Sequence, residues 1–146
     1  MRTSNRRIAD LFAPSGWARQ CCQVEAALAL AQAEIGVIPA DAGPGIRQHL
    51  HDAVIDQEAL AKAAERTGFA IAPLIRQLTP QCGPFGGWLH WGATTQDILV
   101  TVRALQINES LKLLGQRLAR IVSAVAKLAD EHRHTVMPAR AFGGHG

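Results

Sequence analysis

The sequence predicts an all-α protein, and two observations support this. Ala and Leu are abundant, whereas Tyr is absent and runs of β-branched residues are few, a composition that favours helices over strands. Apolar residues recur at spacings of three and four over two long segments, which is the period of an amphipathic helix. Because 48% of the 146 residues are hydrophobic, the chain can bury a core, and intrinsic disorder is excluded.

The charge pattern narrows the classes of partner. The formal net charge is +3, and the basic residues are scattered apart from Arg2, Arg6 and Arg7. Aromatic residues are not interleaved with cations, which argues against nucleic-acid binding, and a mild positive excess suits small anionic substrates. No apolar run is long enough to span a membrane, and no secretory leader is predicted, so we expect a cytoplasmic protein.

The first long helix is predicted over Trp17–Ile35. Ser15 is the expected N-cap, Gly36 the expected stop, and Pro39 a further barrier to extension. One apolar stripe carries this prediction: Trp17, Cys21, Val24, Leu28, Ala31 and Ile35.

Shorter helices are expected next. The Gly-Pro-Gly content of Asp41–Gly45 predicts a loop, followed by a helix over Ile46–Ala53. A second short helix is predicted over Gln57–Thr67, with Asp56 as its cap and Gly68 as its end.

A third short helix is predicted over Ile71–Leu78, where Pro73 is tolerable only in the first turn. The two Pro and three Gly of Pro80–Gly87 predict an irregular connection that leads into the segment Trp88–Asp97.

The longest predicted helix covers Thr95–Arg133, roughly 55–60 Å at 1.5 Å per residue. A compact chain of this size measures only some 30–40 Å across. We call its apolar stripe the seam: Val100, Ala104, Ile107, Leu111, Leu114, Leu118, Ile121, Val125 and Leu128. Nothing else in the chain is long enough to cover the seam, so residues beyond Gly146, other subunits or both are expected to do so.

The Gly-rich turn of residues 137–146 is typical of the start of a further structural element rather than of the end of a domain. We therefore expect an incomplete chain with two domains: a small helical domain, 1–97, and the truncated start of a helical bundle, 98–146.

The segment Trp88–Asp97 combines two Trp with a His, two hydroxyls, an amide and a carboxylate. Thr94 and Asp97 have the spacing of a capping box. Free N–H groups at such a helix start can bind a carboxylate or phosphate, and Thr95 and Gln96 can add donors. The alternative is a capped helix after an aromatic-rich loop, with no ligand.

Metal and nucleophile sites are not expected. Two pairs of histidines are spaced by two residues: His49 with His51, and His132 with His134. Side chains two apart on a helix point in opposite directions and cannot chelate one ion. Cys21 and Cys22 are predicted to be small core and boundary residues, and Cys82 lies in a Pro/Gly loop without a partner for catalysis. Taken alone, His90 fits a buried, hydrogen-bonded structural histidine.

The His90–Asp97 segment, His-Trp-Gly-Ala-Thr-Thr-Gln-Asp, resembles the first signature of the fumarase/aspartase superfamily, HxGxTSxD. Within this signature, a Gln at the position before Asp97 resembles the pattern of the 3-carboxy-cis,cis-muconate cycloisomerase branch. Val24–Pro39 resembles the first helix of that branch, and Pro73–Arg76 its IPLV-type segment.

Residues 137–146 resemble the start of the second signature, ARTxxQHA. Arg140 and His145 match it. The departures are Ala141 for Thr, Gly144 for Gln and Gly146 for Ala. Phe142 stands where the lyases of the family carry a catalytic His and the cycloisomerase branch carries Trp or another apolar residue.

The resemblance implies a homotetramer with a central bundle of long helices, active sites built from three subunits, an aci-carboxylate intermediate and no cofactor. It assigns the following roles: Thr94, Thr95 and Gln96 bind a substrate carboxylate; His90 orients substrate; Asp97 holds the turn; Arg140 supports the second turn; His145 is a candidate catalytic residue. The third signature, the GSSxMPxKxNP loop with the catalytic Ser, does not occur in this sequence.

The leading hypothesis is the N-terminal portion of a cycloisomerase that lactonises 3-carboxy-cis,cis-muconate in aromatic-compound breakdown, inactive as the 146-residue chain alone. A β-eliminating lyase of the adenylosuccinate lyase type is the first alternative, and Phe142 in place of His argues against it. The second alternative is a non-enzymatic assembly module that pairs through the Val100–Leu128 seam, which leaves the composition of Trp88–Asp97 unexplained.

Overall fold

In a computed structural model of the protein, residues 8–136 and 140–145 are described, and their regular structure is helical apart from one short hairpin. The elements are α1 (Ile8–Phe12), α2 (Pro14–Glu34), α3 (Ala42–His51), α4 (Gln57–Thr67), α5 (Ile71–Leu78), a 3-10 segment (Pro80–Trp88), α6 (Thr95–Glu131), β1 (Arg140–Ala141) and β2 (Gly144–His145). The predicted all-α class is confirmed. The chain divides after Ser110 into two compact units.

Helix α2 is the predicted first long helix, but it begins earlier than expected. Pro14 occupies its first turn, Ala13 is the N-cap residue, and no side chain caps it. The prediction of Ser15 as the N-cap is therefore wrong, because a proline at the first helical position starts the helix without needing that cap. The C-terminal end is close to the prediction, with Ile35 as the C-cap and Gly36 at a φ of 74°.

The buried face of α2 differs from the predicted stripe. Its apolar buried residues are mostly small: Ala18, Cys21, Cys22 and Ala29. Ile35, at the end of the predicted stripe, is 75% exposed. The small side chains allow α3 to approach closely, since a Cβ on Gly43 would lie 2.8 Å from both the Ala29 carbonyl oxygen and the Ala33 Cβ. Close packing of two backbones therefore decides which face of α2 is buried.

Helix α3 begins at Ala42, so the predicted loop over Asp41–Gly45 is largely helical instead. Pro44 falls in the first turn, where proline is tolerated. Gly45 packs under the Phe85 ring, and a Cβ on it would lie 2.2 Å from that ring. The two glycines therefore serve close packing rather than a loop.

Helices α4 and α5 have the predicted bounds. The Asp56 carboxylate accepts a hydrogen bond of 2.9 Å from the Ala59 N–H, and Gly68 ends α4 with a φ of 74°. Pro73 lies in the first turn of α5 and is buried. These signals are local in sequence, which is why they predict the bounds well.

The extended segment between α3 and α4 is held by two side chains, Gln77 and Gln81, which we call the glutamine clamp. The Gln81 amide accepts from the Val54 N–H at 2.9 Å and donates to the Val54 carbonyl at 2.8 Å. Gln77 accepts from the Asp56 N–H at 3.0 Å and donates to the Asp56 carbonyl at 3.1 Å. Each glutamine thus replaces the pair of bonds that a neighbouring strand would supply.

Helix α6 matches the predicted long helix and is covered only near its start. Ile98 and Val102 are buried in the core of the first unit, and the Gln106 side chain donates to the Leu11 carbonyl at 2.8 Å. The first turns of α6 therefore belong to the first compact unit, together with the helices that precede them. The boundary predicted between Asp97 and Ile98 stays a prediction.

The seam of α6 is exposed along its whole length. Its large side chains are 43% (Leu114) to 61% (Leu111) exposed. Ile98 and Val102 belong to a different face, so burying the start of α6 leaves the seam uncovered by the described residues, as the sequence predicts. Within the described residues, no helix is both long enough and apolar enough to cross a membrane.

Candidate functional site

The signature turn before α6 has an unusual backbone. His90 has a φ of 62° and Gly92 a φ of 66°. A left-handed backbone costs a non-glycine residue roughly 1–2 kcal/mol. The surrounding contacts must offset this cost at His90, and they come from α2.

Glu25 of α2 anchors His90. The Glu25 Oε1 atom lies 2.6 Å from His90 Nδ1, and the two side chains are 0% and 19% exposed, respectively. Burial raises the pKa of the Glu25 carboxyl, while the hydrogen bond and charge of His90 oppose that rise. The other oxygen, Oε2, is buried without a hydrogen-bond partner. The expectation that His90 is hydrogen-bonded is confirmed, and a carboxylate sets its orientation.

The contact with Glu25 leaves one ring nitrogen of His90 available. When Glu25 is ionised, Nδ1 carries a proton and donates it, and Nε2 has no hydrogen-bond partner among the described residues. Nε2 can then accept a proton in the neutral ring or donate one in the imidazolium. Sequence reasoning missed Glu25, although a lone carboxylate on the buried face of an apolar helix is a signal for such a pair.

Thr94 and Asp97 form the predicted capping box. The Asp97 carboxylate accepts from the Thr94 N–H at 2.9 Å and from the Thr94 hydroxyl at 2.8 Å. These bonds lower the pKa of Asp97. Both donors of Thr94 are occupied by this contact, so Thr94 has none to offer a ligand while the box is closed. Asp97 therefore caps the start of α6.

Thr95 and Gln96 open α6, and their side chains make no hydrogen bond to any described residue. Gln96 is exposed and Thr95 is half-buried. Of the three residues predicted to bind a substrate carboxylate, Thr94, Thr95 and Gln96, these two still have side-chain donors available. Together with the first N–H groups of a long helix, they can receive an anion.

The turn is also fixed at its aromatic end. The Gln32 side chain donates to the Trp91 carbonyl at 2.7 Å, and the Trp88 and Trp91 rings meet edge to face with centroids 4.9 Å apart. A cavity of about 210 Å³ lies between α2 and the start of α6, with Gly92, Ala93 and Asp97 in its wall. Ligand sites usually measure 300–1,000 Å³. The turn is thus well supported, and the space beside it in this chain is small.

Arg140 and His145 lie in the second compact unit, where their backbones pair across the short antiparallel hairpin. Gly143 turns that hairpin with a φ of 86°, and Phe142 is fully exposed. The side chains of Arg140 and His145 fall outside the described residues, so their roles stay predictions.

Cys21 and Cys22 are core residues, as predicted, and Cys82, which the sequence places in a Pro/Gly loop, is buried as well. All three are buried free thiols. Burial raises the pKa of Cys22 to about 11 and raises the pKa of Cys21 and Cys82 as well. They are therefore protonated at neutral pH and poor nucleophiles. No group of His, Cys, Asp and Glu within the described ranges is arranged to hold a metal ion.

The family model described as lyase matches residues 4–145, and the chain belongs to that family, within the fumarase/aspartase superfamily.

The relatives carry several activities. Trans-aconitate decarboxylase 1 of Mycosarcoma maydis is 41% identical over 82% of this chain and 24% of its own length. A 3-carboxy-cis,cis-muconate cycloisomerase of Bradyrhizobium diazoefficiens is 39% identical over 83% of this chain and 28% of its own. The crystal structure of a fumarate lyase from Mesorhizobium sp. BNC1 superposes with a TM-score of 0.87 at 38% identity, over 97% of this chain and 35% of that one. Archaeal adenylosuccinate lyases are also similar. The chain spans about a quarter of the length of these curated relatives.

Proposed function

We propose that this chain contributes a carboxylate-binding turn to a lactonising cycloisomerase, with 3-carboxy-cis,cis-muconate as substrate. The observation that carries the proposal is the Glu25–His90 pair beside the free donors of Thr95 and Gln96. A capped helix without a ligand has no need of a buried carboxylate that fixes a strained histidine, so the assembly-module alternative leaves this pair unexplained.

The proposed roles follow from charge and geometry. A substrate carboxylate would accept from Thr95, Gln96 and the first N–H groups of α6, where the helix dipole favours negative charge. The Asp97 carboxylate would compete least with a substrate carboxylate when it is turned toward Thr94, and it has this orientation in the structure. His90 would then contact the substrate through Nε2 and position it for closure of the lactone.

The proposal includes assembly in the cytoplasm. Within the described residues the seam has no cover, and a second copy of the chain presents a matching seam, so we propose that α6 pairs with other copies of itself. The acid–base groups that the chemistry needs beyond His90 would come from other helices or from other parts of the protein, without a cofactor. The 146-residue chain alone is then expected to bind substrate without turning it over.

The experiment separates binding from turnover. The purified chain is titrated with 3-carboxy-cis,cis-muconate and followed by NMR, and lactone formation is measured in the same samples. Binding is expected to shift the backbone amide signals of Thr95 and Gln96, and the Thr95→Ala and Gln96→Ala variants should bind at least ten-fold more weakly. The exposed Gln48→Ala is the matched control. Absence of these shifts, or equal affinity in all variants, would contradict the proposed site.

An adenylosuccinate-type lyase is the second candidate, because adenylosuccinate lyases are among the similar proteins. Titration with adenylosuccinate distinguishes the two. Tighter binding of adenylosuccinate than of 3-carboxy-cis,cis-muconate, with release of fumarate from the complete protein, would favour the lyase.

A further inference from the structure

The first compact unit contains a larger cavity that includes none of the residues of the signature turn. It measures about 640 Å³ and is bounded by α2, by the end of α3 and by the extended segment that follows α3. This volume lies within the range of ligand sites, 300–1,000 Å³, and is about three times that of the cavity beside the turn.

The lining of this cavity includes two arginines and no carboxylate side chain. Arg19 of α2 and Arg47 of α3 both line it, and neither forms an ion pair within the described residues. His51 lies in the lining and its Nδ1 contacts the Asp52 carboxylate at 2.8 Å. No Asp or Glu is among the lining residues. Two exposed arginines in the lining of one cavity suit a ligand with carboxylate groups, which guanidinium groups bind through paired N–H donors.

The remaining lining is largely apolar. Aliphatic side chains contribute from three directions: Ala26, Ala27, Leu30, Leu50 and Ile55. Cys22 also lines the cavity, and because burial raises its pKa to about 11 it presents a neutral thiol. A purely inorganic anion would leave these side chains in contact with water. The lining therefore suits a ligand with an apolar body as well as acidic groups.

The wall of the cavity is held in place before any ligand binds. Ala53 and Ile55 line the cavity, and Val54 between them is held by Gln81 through two hydrogen bonds. Gln77 fixes Asp56 in the same way. A preformed wall reduces the entropy lost on binding.

We infer that this cavity is a binding site for a small organic dicarboxylate with an apolar body, held by Arg19 and Arg47. The inference does not depend on the function of the signature turn. It requires only that the two guanidinium groups and the apolar lining act on one molecule.

Phthalate is a suitable probe because it joins two carboxylates to an aromatic ring. Isothermal titration calorimetry of the chain with phthalate is expected to show saturable binding. Arg19→Gln and Arg47→Gln should each weaken it at least ten-fold, whereas Arg76→Gln, an exposed arginine on α5 that does not line the cavity, should not change it. Ala27→Leu should weaken binding by filling the cavity while it keeps the helix. Circular dichroism checks that every variant folds.

Two further probes separate the contribution of charge to binding from that of the apolar ring. Inorganic phosphate and benzyl alcohol, which carry only the charge or only the ring, are both expected to bind more weakly than phthalate. The inference is overturned if phthalate shows no saturable binding at about 10 mM, since a Kd of 1 mM would be near saturation there. It is also overturned if Arg76→Gln weakens binding as much as Arg19→Gln and Arg47→Gln do.

Discussion

Removing His90 should expose how strongly it is coupled to Glu25. In His90→Ala the Glu25 carboxyl, whose side chain is 0% exposed in the unsubstituted chain, loses its hydrogen-bond partner. Breaking a buried pair in this way costs about 3–5 kcal/mol in the free energy of unfolding. In a Glu25→Gln background, the same substitution leaves a neutral amide and should cost about 1 kcal/mol, the net value of an ordinary hydrogen bond. The expected coupling is the difference, roughly 2–4 kcal/mol.

The loss should also depend on pH. Because the folded pKa of Glu25 is raised by burial, its protonated form favours folding; that contribution is fully present below the ordinary value of 4.5 and is lost as the pH rises through the folded pKa. Without His90 to oppose burial, this pKa rises further. His90→Ala should therefore be destabilised more at pH 8 than at pH 5 relative to the unsubstituted chain.

Urea denaturation followed by circular dichroism measures all four chains of this cycle at both pH values. The strain of the left-handed backbone at residue 90 is the same in both backgrounds and cancels in the cycle. If His90→Ala costs as much in the Glu25→Gln background as in the unsubstituted chain, or if its cost does not depend on pH, the carboxylate does not anchor the histidine.

Three further predictions can be checked on the same chain. Asp97→Asn should destabilise it at neutral pH, and because the folded pKa of Asp97 is lowered, the difference should vanish as the pH falls through that pKa; a difference that persists in acid would refute the capping role. Asp56→Ala should cost about 1 kcal/mol in urea denaturation, while Asp56→Asn, which keeps an N-cap, should cost little. Iodoacetamide should alkylate Cys22 far more slowly in the folded chain than in urea, since a pKa of about 11 leaves about one thiol in a thousand ionised at pH 8; equal rates would contradict its burial.

Local signals in the sequence predicted much of the fold. The bounds of α4 follow from Asp56 and Gly68, and Pro73 allowed α5 to begin where it does. The start of α3 could not be predicted, because Gly43 and Gly45 are set by contacts with α2 and Phe85 rather than by their neighbours in the chain. Composition indicates a loop there, and tertiary packing makes it a helix.

The site was predicted in part for the same reason. The capping box joins residues three apart, so its pattern is visible in the sequence. The Glu25–His90 contact joins residues 65 apart, and no local pattern specifies the partner. The roles of Arg140 and His145 rest on resemblance alone.

The glutamine clamp contains no ionisable group. Acid, which protonates Asp97 and so weakens the capping box with Thr94, has little direct effect on the amide-to-backbone bonds at Val54 and Asp56. On acidification, the loop between α3 and α4 should therefore keep its hydrogen-exchange protection after the signature turn has lost the protection that the Asp97 capping box provides. These two regions of the first unit would then lose their structure at different pH values, because different chemical groups hold each of them in place.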